Sequence, residues 1–195
     1  MKRLKWAALP LAAFFAFAGV SEANDGTHEV NEGESLWSIG IDYGVATEDI
    51  KAENGKSEDA INPGEQLEIP ESSVSPEEED LLARIIHAEA KGEPYDGKVG
   101  VGTVVLNRVA ADEFPDSING VVYEIEGGSY QFSPVMDGTL YEPADDEAKQ
   151  AARDAIVFDG QGQGSTYFYN PETASNHWNA TRDETISIGD HVFAR

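Results

Sequence analysis

The stretch Leu82-Ala83-Arg84-Ile85-Ile86-His87-Ala88-Glu89-Ala90-Lys91-Gly92-Glu93-Pro94 decides the reading of this chain. Leu82, Ile85 and Ile86 stand at the i, i+3, i+4 spacing of an amphipathic helix, and the next position on that stripe is Glu89. A carboxylate therefore takes a place that the pattern reserves for a core residue. Upstream, Ser75-Pro76-Glu77-Glu78 starts the helix with a capping serine, a proline at the first helical position and a glutamate that completes a capping box. Downstream, Lys91 lies in the last turn, Gly92 is expected to take the left-handed cap, and Pro94 prevents continuation. A carboxyl so placed loses water and faces the negative end of the helix dipole, and both effects raise its pKa. An acid that stays protonated near neutral pH can protonate a departing oxygen. Two structural readings of Glu89 stand beside this one: it bends outward, or it pairs with Arg84 or Arg108.

Outward from that helix, residues 71–79 are polar and read as a linker, and residues 27–70 read strand, helix, helix, strand. His28-Glu29-Val30 is extended. Ser35 caps a helix with Leu36, Ile39 and Tyr43 on one face, and Gly44 ends it. Thr47 is expected to cap a second helix containing Ile50, closed by Asn54-Gly55. Asn62-Pro63-Gly64 turns the chain into the strand Leu67-Glu68-Ile69. The run from His28 to Ile39, with Asn54-Gly55 and Ile61 to Pro70, resembles the LysM module. That resemblance implies a shallow groove for N-acetylglucosamine-containing glycans, with Gly33, Glu34, Ser35, Pro63 and Gly64 near the sugar. Each of these residues also simply suits a turn.

Residues 80–195 hold the remaining apolar segments. Residues 143–158, with Ala148, Ala151, Ala152, Ala155 and Ile156, read as an amphipathic helix, and Tyr167-Phe168-Tyr169 alternates as a strand. The glycine-rich 160–164 reads as a turn; Glu93, a candidate second carboxylate, lies beyond the helix end and is expected instead to make a local hydrogen bond. The quoted helix resembles the first helix of the SleB/CwlJ-type cell-wall hydrolases, the spore-cortex-lytic enzymes. The likeness continues through Gly97 to Val109, Phe114 to Ile118, Gln131-Phe132-Ser133-Pro134, Tyr167 to Pro171, Trp178 and Ile188 to Phe193. It implies a lysozyme-like core, a catalytic glutamate at Glu89 and a helix over Lys98 to Val109, where the valines alone would also fit a strand. Gln131, Ser133, Tyr167, Tyr169 and Trp178 are the candidate substrate contacts, the aromatic residues by stacking on pyranose faces.

The fold expected is α+β: a small β-α-α-β LysM module, then a mainly helical, lysozyme-like catalytic domain with a small antiparallel sheet. The reaction expected is lytic transglycosylation between N-acetylmuramic acid and N-acetylglucosamine, without metal or cofactor, by a monomer. An amidase and a non-catalytic wall-binding protein are the rival readings. Lys2, Arg3 and Lys5, the apolar Trp6 to Val20 and Ser21-Glu22-Ala23 read as an export signal over residues 1–23, short for a membrane span, with a retained membrane anchor as the competing reading. The expected location is outside the cell, on the wall, with spore cortex or coat among the candidates. The 37 acidic and 13 basic residues, a net charge of -24, repel phosphate backbones and argue against a nucleic-acid partner. With no cysteine, disulfides and thiol chemistry are excluded. No H-E-x-x-H and no G-x-S-x-G motif is present.

Overall fold

The computed structural model describes residues 26–158, 163–174 and 181–195. The first unit runs β1 (Thr27–Glu29), α1 (Leu36–Tyr43), α2 (Thr47–Glu53) and β2 (Gln66–Glu68), with β1 and β2 antiparallel and His28 opposite Leu67. Ser35 caps α1: its hydroxyl accepts from Ser38 N at 3.1 Å, while its own N–H donates to Ser38 Oγ at 2.9 Å. Gly44 ends α1 in the left-handed conformation, at φ 65°. The two helices close over the ladder by burying Val30, Leu36, Ile39, Val45, Ile50, Leu67 and Ile69 as a small core of their own. Thr47 does not cap α2. The cap position is Ala46, and the Thr47 hydroxyl instead donates to Val157 O at 3.4 Å, in the second unit.

The second unit is built on three helices, α3 (Pro76–Ala90), α4 (Tyr95–Ala110) and α7 (Asp146–Phe158), which pack against one another. Leu82, Ile85 and Ile86 of α3 are fully buried, each worth about 1.5–3 kcal/mol of transfer free energy. In α4 the buried valines fall at 101, 104 and 105, which is helical spacing, so the strand reading of that segment is set aside. Gly102 is what lets the three helices meet. A Cβ there would stand 2.9 Å from both Ala155 Cβ and Ile86 Cδ1. Shorter pieces follow: α5 (Ile118–Val122), the hairpin β3 (Ile125–Glu126) and β4 (Ser129–Tyr130), α6 (Ser133–Asp137) and a 3₁₀ turn at Thr139–Tyr141. An antiparallel sheet in the order β5 (Tyr167–Tyr169), β7 (His191–Ala194), β6 (Glu184–Ile188) lies against α4, with Phe193 placed where Gly100 leaves room.

The corner between α3 and α4 departs from expectation. Gly92 has no positive φ, and α3 ends at Lys91 in the right-handed conformation. The chain turns through a Glu93 N–H to Ala90 O bond of 3.0 Å, and Pro94 caps α4. The two units are in contact. Helix α1 lies on α7, where a Cβ on Gly40 would be 3.0 Å from Val157 Cγ1, and the Ser72 hydroxyl donates to Gly44 O at 2.6 Å.

Candidate active site

Glu89 is the penultimate residue of α3, on the side that Leu82, Ile85 and Ile86 bury. Burial pushes its carboxyl up to about 7, and the charge of Asp137 pushes in the same direction. Asp137 is the last residue of α6, a helix that packs on α3. Its Oδ1 accepts from the Thr139 hydroxyl at 2.6 Å and from Thr139 N at 2.9 Å, which holds this carboxyl below the usual carboxylate range. An anion fixed by a turn thus acts on an acid kept protonated by its surroundings. Neither arginine pairs with Glu89. Arg84 Nε donates to Asp80 Oδ2 at 2.9 Å and its NH1 to Leu140 O at 3.4 Å. Arg108 Nε donates to Thr166 O at 2.7 Å, and its guanidinium lies 5.1–5.3 Å from the ring centroids of Phe114, Phe132 and Tyr167. His87 turns to Asp145, with Nδ1 at 3.2 Å from Oδ2 but not aligned for a hydrogen bond.

Glu93 bonds across the fold rather than locally. Its Oε2 accepts from Asp190 N at 3.0 Å, in the turn between β6 and β7, and its Oε1 lies 3.9 Å from Nε2 of the buried His191. Burial pushes the His191 imidazole down, against the opposing charges of Glu93 and Asp190. Glu93 therefore ties the β6–β7 turn to the corner between α3 and α4.

The other predicted contacts separate. Gln131 Nε2 donates to Glu126 Oε2 at 3.0 Å and its N–H to Glu124 O at 3.1 Å, so it braces the β3–β4 hairpin. Ser133 is exposed at the start of α6, the helix that ends in Asp137. Tyr167 has one ring face covered by the Arg182 guanidinium, 3.6 Å from its centroid, which takes the surface expected to stack on a sugar. Tyr169 is half-buried in β5, opposite Val192. Trp178 lies outside the described residues, as does most of the glycine-rich turn. Asp137 carries no local signal in the sequence, and only the tertiary fold sets the end of α6 against α3.

In the first unit the five predicted glycan contacts sit in the two strand-helix connections and mostly build them. Gly33 and Gly64 take positive φ, 90° and 82°, and Gly64 N donates to Val30 O at 2.8 Å. Glu34 closes its own turn: Oε2 accepts from Asn31 N at 2.8 Å and lies 2.7 Å from His28 Nε2, and these contacts hold its carboxyl down at about 2. Ser35 is engaged as the helix cap, and Pro63 is exposed in the turn before Gly64. Among the described residues no three His, Asp or Glu side chains are grouped to hold a metal ion.

The profile of the cell wall hydrolase family matches residues 92–194, more than half of the chain, and that of the LysM domain matches residues 28–70. A spore cortex-lytic enzyme of Halalkalibacterium halodurans is 35% identical over 136 residues, 70% of this chain and 40% of that protein. One from Oceanobacillus iheyensis is 30% identical over 175 residues, 87% of this chain and 60% of its own length. The chain thus spans about half the length of these two relatives. Among solved structures, the catalytic domain of the germination-specific lytic transglycosylase SleB from Bacillus anthracis superposes with a TM-score of 0.58 at 35% identity, over 65% of this chain and all of that domain.

Proposed function

Because this chain belongs to the cell wall hydrolase family, we propose that it degrades peptidoglycan as a lytic transglycosylase with Glu89 as its acid. The observation that carries the reading is the carboxyl of Glu89, raised to about 7 on the buried side of α3. In the step proposed, Glu89 gives its proton to the glycosidic oxygen as the bond to the muramoyl anomeric carbon breaks. The sugar left behind keeps that proton as its new hydroxyl. The muramoyl 6-hydroxyl attacks the anomeric carbon, and its proton passes to the Glu89 carboxylate. The acid is restored, a 1,6-anhydro end is formed and no water is consumed. Burial first, and then the charge of Asp137 that Thr139 holds ionised, favour the protonated carboxyl between turnovers. Support also comes from the relatives, named for spore cortex lysis and, in the solved domain, for lytic transglycosylation.

The first unit, by its match to the LysM domain, would hold the glycan strand. Export to the wall or spore cortex follows from this substrate. Among the described residues no helix is long and apolar enough to cross a membrane. The test is to digest purified peptidoglycan with the protein and with Glu89→Gln and weigh the fragments. Muramoyl ends 18 Da lighter than hydrolytic ones are expected from the former, and a much lower yield from the latter (about a hundredfold or more, the scale of lost acid catalysis). Ends carrying an added water would make the enzyme a muramidase, and freed peptide amino termini would make it an amidase.

A further inference from the structure

Helix α7 ends on a residue out of keeping with the rest of its length. Ala151, Ala152, Ala155, Ile156 and Val157 are buried, whereas Phe158 is 42% exposed. Its ring leans on Trp37 of α1, with centroids 4.4 Å apart and planes at 59°. The two rings meet at an angle rather than in a closed stack, so aromatic surface stays open on one side. That side is a cavity of about 330 Å³, lined by Ser35, Trp37, Thr47, Glu48, Asp59 and Phe158. Lys51 fixes its two carboxylates: Nζ lies 2.8 Å from Glu48 Oε1 and 3.0 Å from Asp59 Oδ1.

From this arrangement we infer that the cleft between the two units is a saccharide subsite, in which the open ring face of Phe158, flanked by Trp37, is the platform for one pyranose of an N-acetylated glycan. The inference deepens the proposed function and rests on it. Pyranose recognition needs a flat apolar surface beside hydrogen-bonding groups fixed at its edge, and the cleft supplies both. Glu48 and Asp59 disfavour an anionic occupant and can accept from sugar hydroxyls. Ser35 joins the cleft to the turn on which a LysM module holds its sugar, so one strand can run from that turn across Phe158. Two contacts join the walls of the cleft: Gly40 packs on Val157, and the Thr47 hydroxyl donates to Val157 O. The catalytic unit therefore supplies part of the surface that grips the strand.

The experiment titrates the chain with the N-acetylglucosamine hexamer by calorimetry, for the unaltered protein, Phe158→Ala, Phe158→Leu and Phe158→Tyr. The alanine and leucine variants are expected to bind about three- to tenfold more weakly, the worth of one aromatic face, and the tyrosine variant to bind normally. The leucine variant keeps apolar bulk in the contact, and the tyrosine variant shows that a ring restores binding. Unchanged affinity in Phe158→Ala and Phe158→Leu overturns the subsite, as does equal loss in Phe158→Tyr. Wall digestion is scored separately on the same unaltered protein. Hexamer binding that depends on the ring, without wall cleavage, would retire the catalytic reading and leave the subsite standing.

Discussion

Asp137 holds its charge beside Glu89, and Glu89 holds its proton: the carboxylate locked by Thr139 reinforces the burial that raises its neighbour. With Glu89 in its proposed role as the protonated acid, activity should fall as pH rises through about 7. Asp137→Asn removes the anion and so lowers the pKa of Glu89. The alkaline fall should then begin at lower pH, yet stay above the 4.5 of a free glutamate, because burial is the larger cause. Wall-digestion rates measured from pH 5 to 9 check this, and an unmoved alkaline limb would count against the coupling.

The same shift has a sign for stability. The folded carboxyl titrates near 7 and the unfolded one near 4.5, so the native state holds the extra proton between them. The contribution is fully present below 4.5 and is lost as pH rises through 7. Glu89→Gln cannot ionise, so it should match the unaltered protein at pH 4 and exceed it at pH 8, by at most about 3 kcal/mol. Melting temperatures at the two pH values test this. Equal differences at both would show that Glu89 is not held protonated by the fold.

Gly189 in the β6–β7 turn has no room for a side chain. A Cβ there would meet Glu93 Oε2 at 2.2 Å and Pro94 Cδ at 2.6 Å, and its φ of 59° is disfavoured for other residues. Gly189→Ala should cost roughly 2 kcal/mol or more and loosen the sheet from the end of α3, read as a lower urea midpoint. A midpoint within error of the unaltered protein would rule out the close packing of this turn.

Arg108 is 5% exposed among three aromatic rings, with its Nε bonded to Thr166 O. Arg108→Lys keeps the charge but loses the planar face and the directed bond, and should destabilise by roughly 2–4 kcal/mol. Chemical denaturation gives the figure. A loss below about 0.5 kcal/mol would mean that charge alone suffices at this position.

Helix α3 was legible because its information is local: a capping box at Ser75 and Glu78, a stripe at Leu82, Ile85 and Ile86, and a carboxylate on that stripe. The strand-helix-helix-strand order of the first unit was legible for the same reason, from Ser35, Gly44 and Asn54. What stayed hidden depends on partners distant in the chain. Thr47 spends its hydroxyl on Val157, 110 residues away, and Glu93 bonds Asp190, 97 residues away. Tyr167 looks like a sugar platform until Arg182 is found over its face. The start of α7 moved from 143 to Asp146 because the Asp145 side chain takes the cap, accepting from Ala148 N at 2.8 Å.

The seating of α1 on α7 bears on where the proposed lytic activity would act. Gly40 packs on Val157, and the linker residue Ser72 bonds back to Gly44, so the first unit is seated on the second in this structure. A strand held by the first unit would offer Glu89 a bond at one set offset, so fragments from an intact wall should cluster in length. The enzyme would measure the polymer as it trims it.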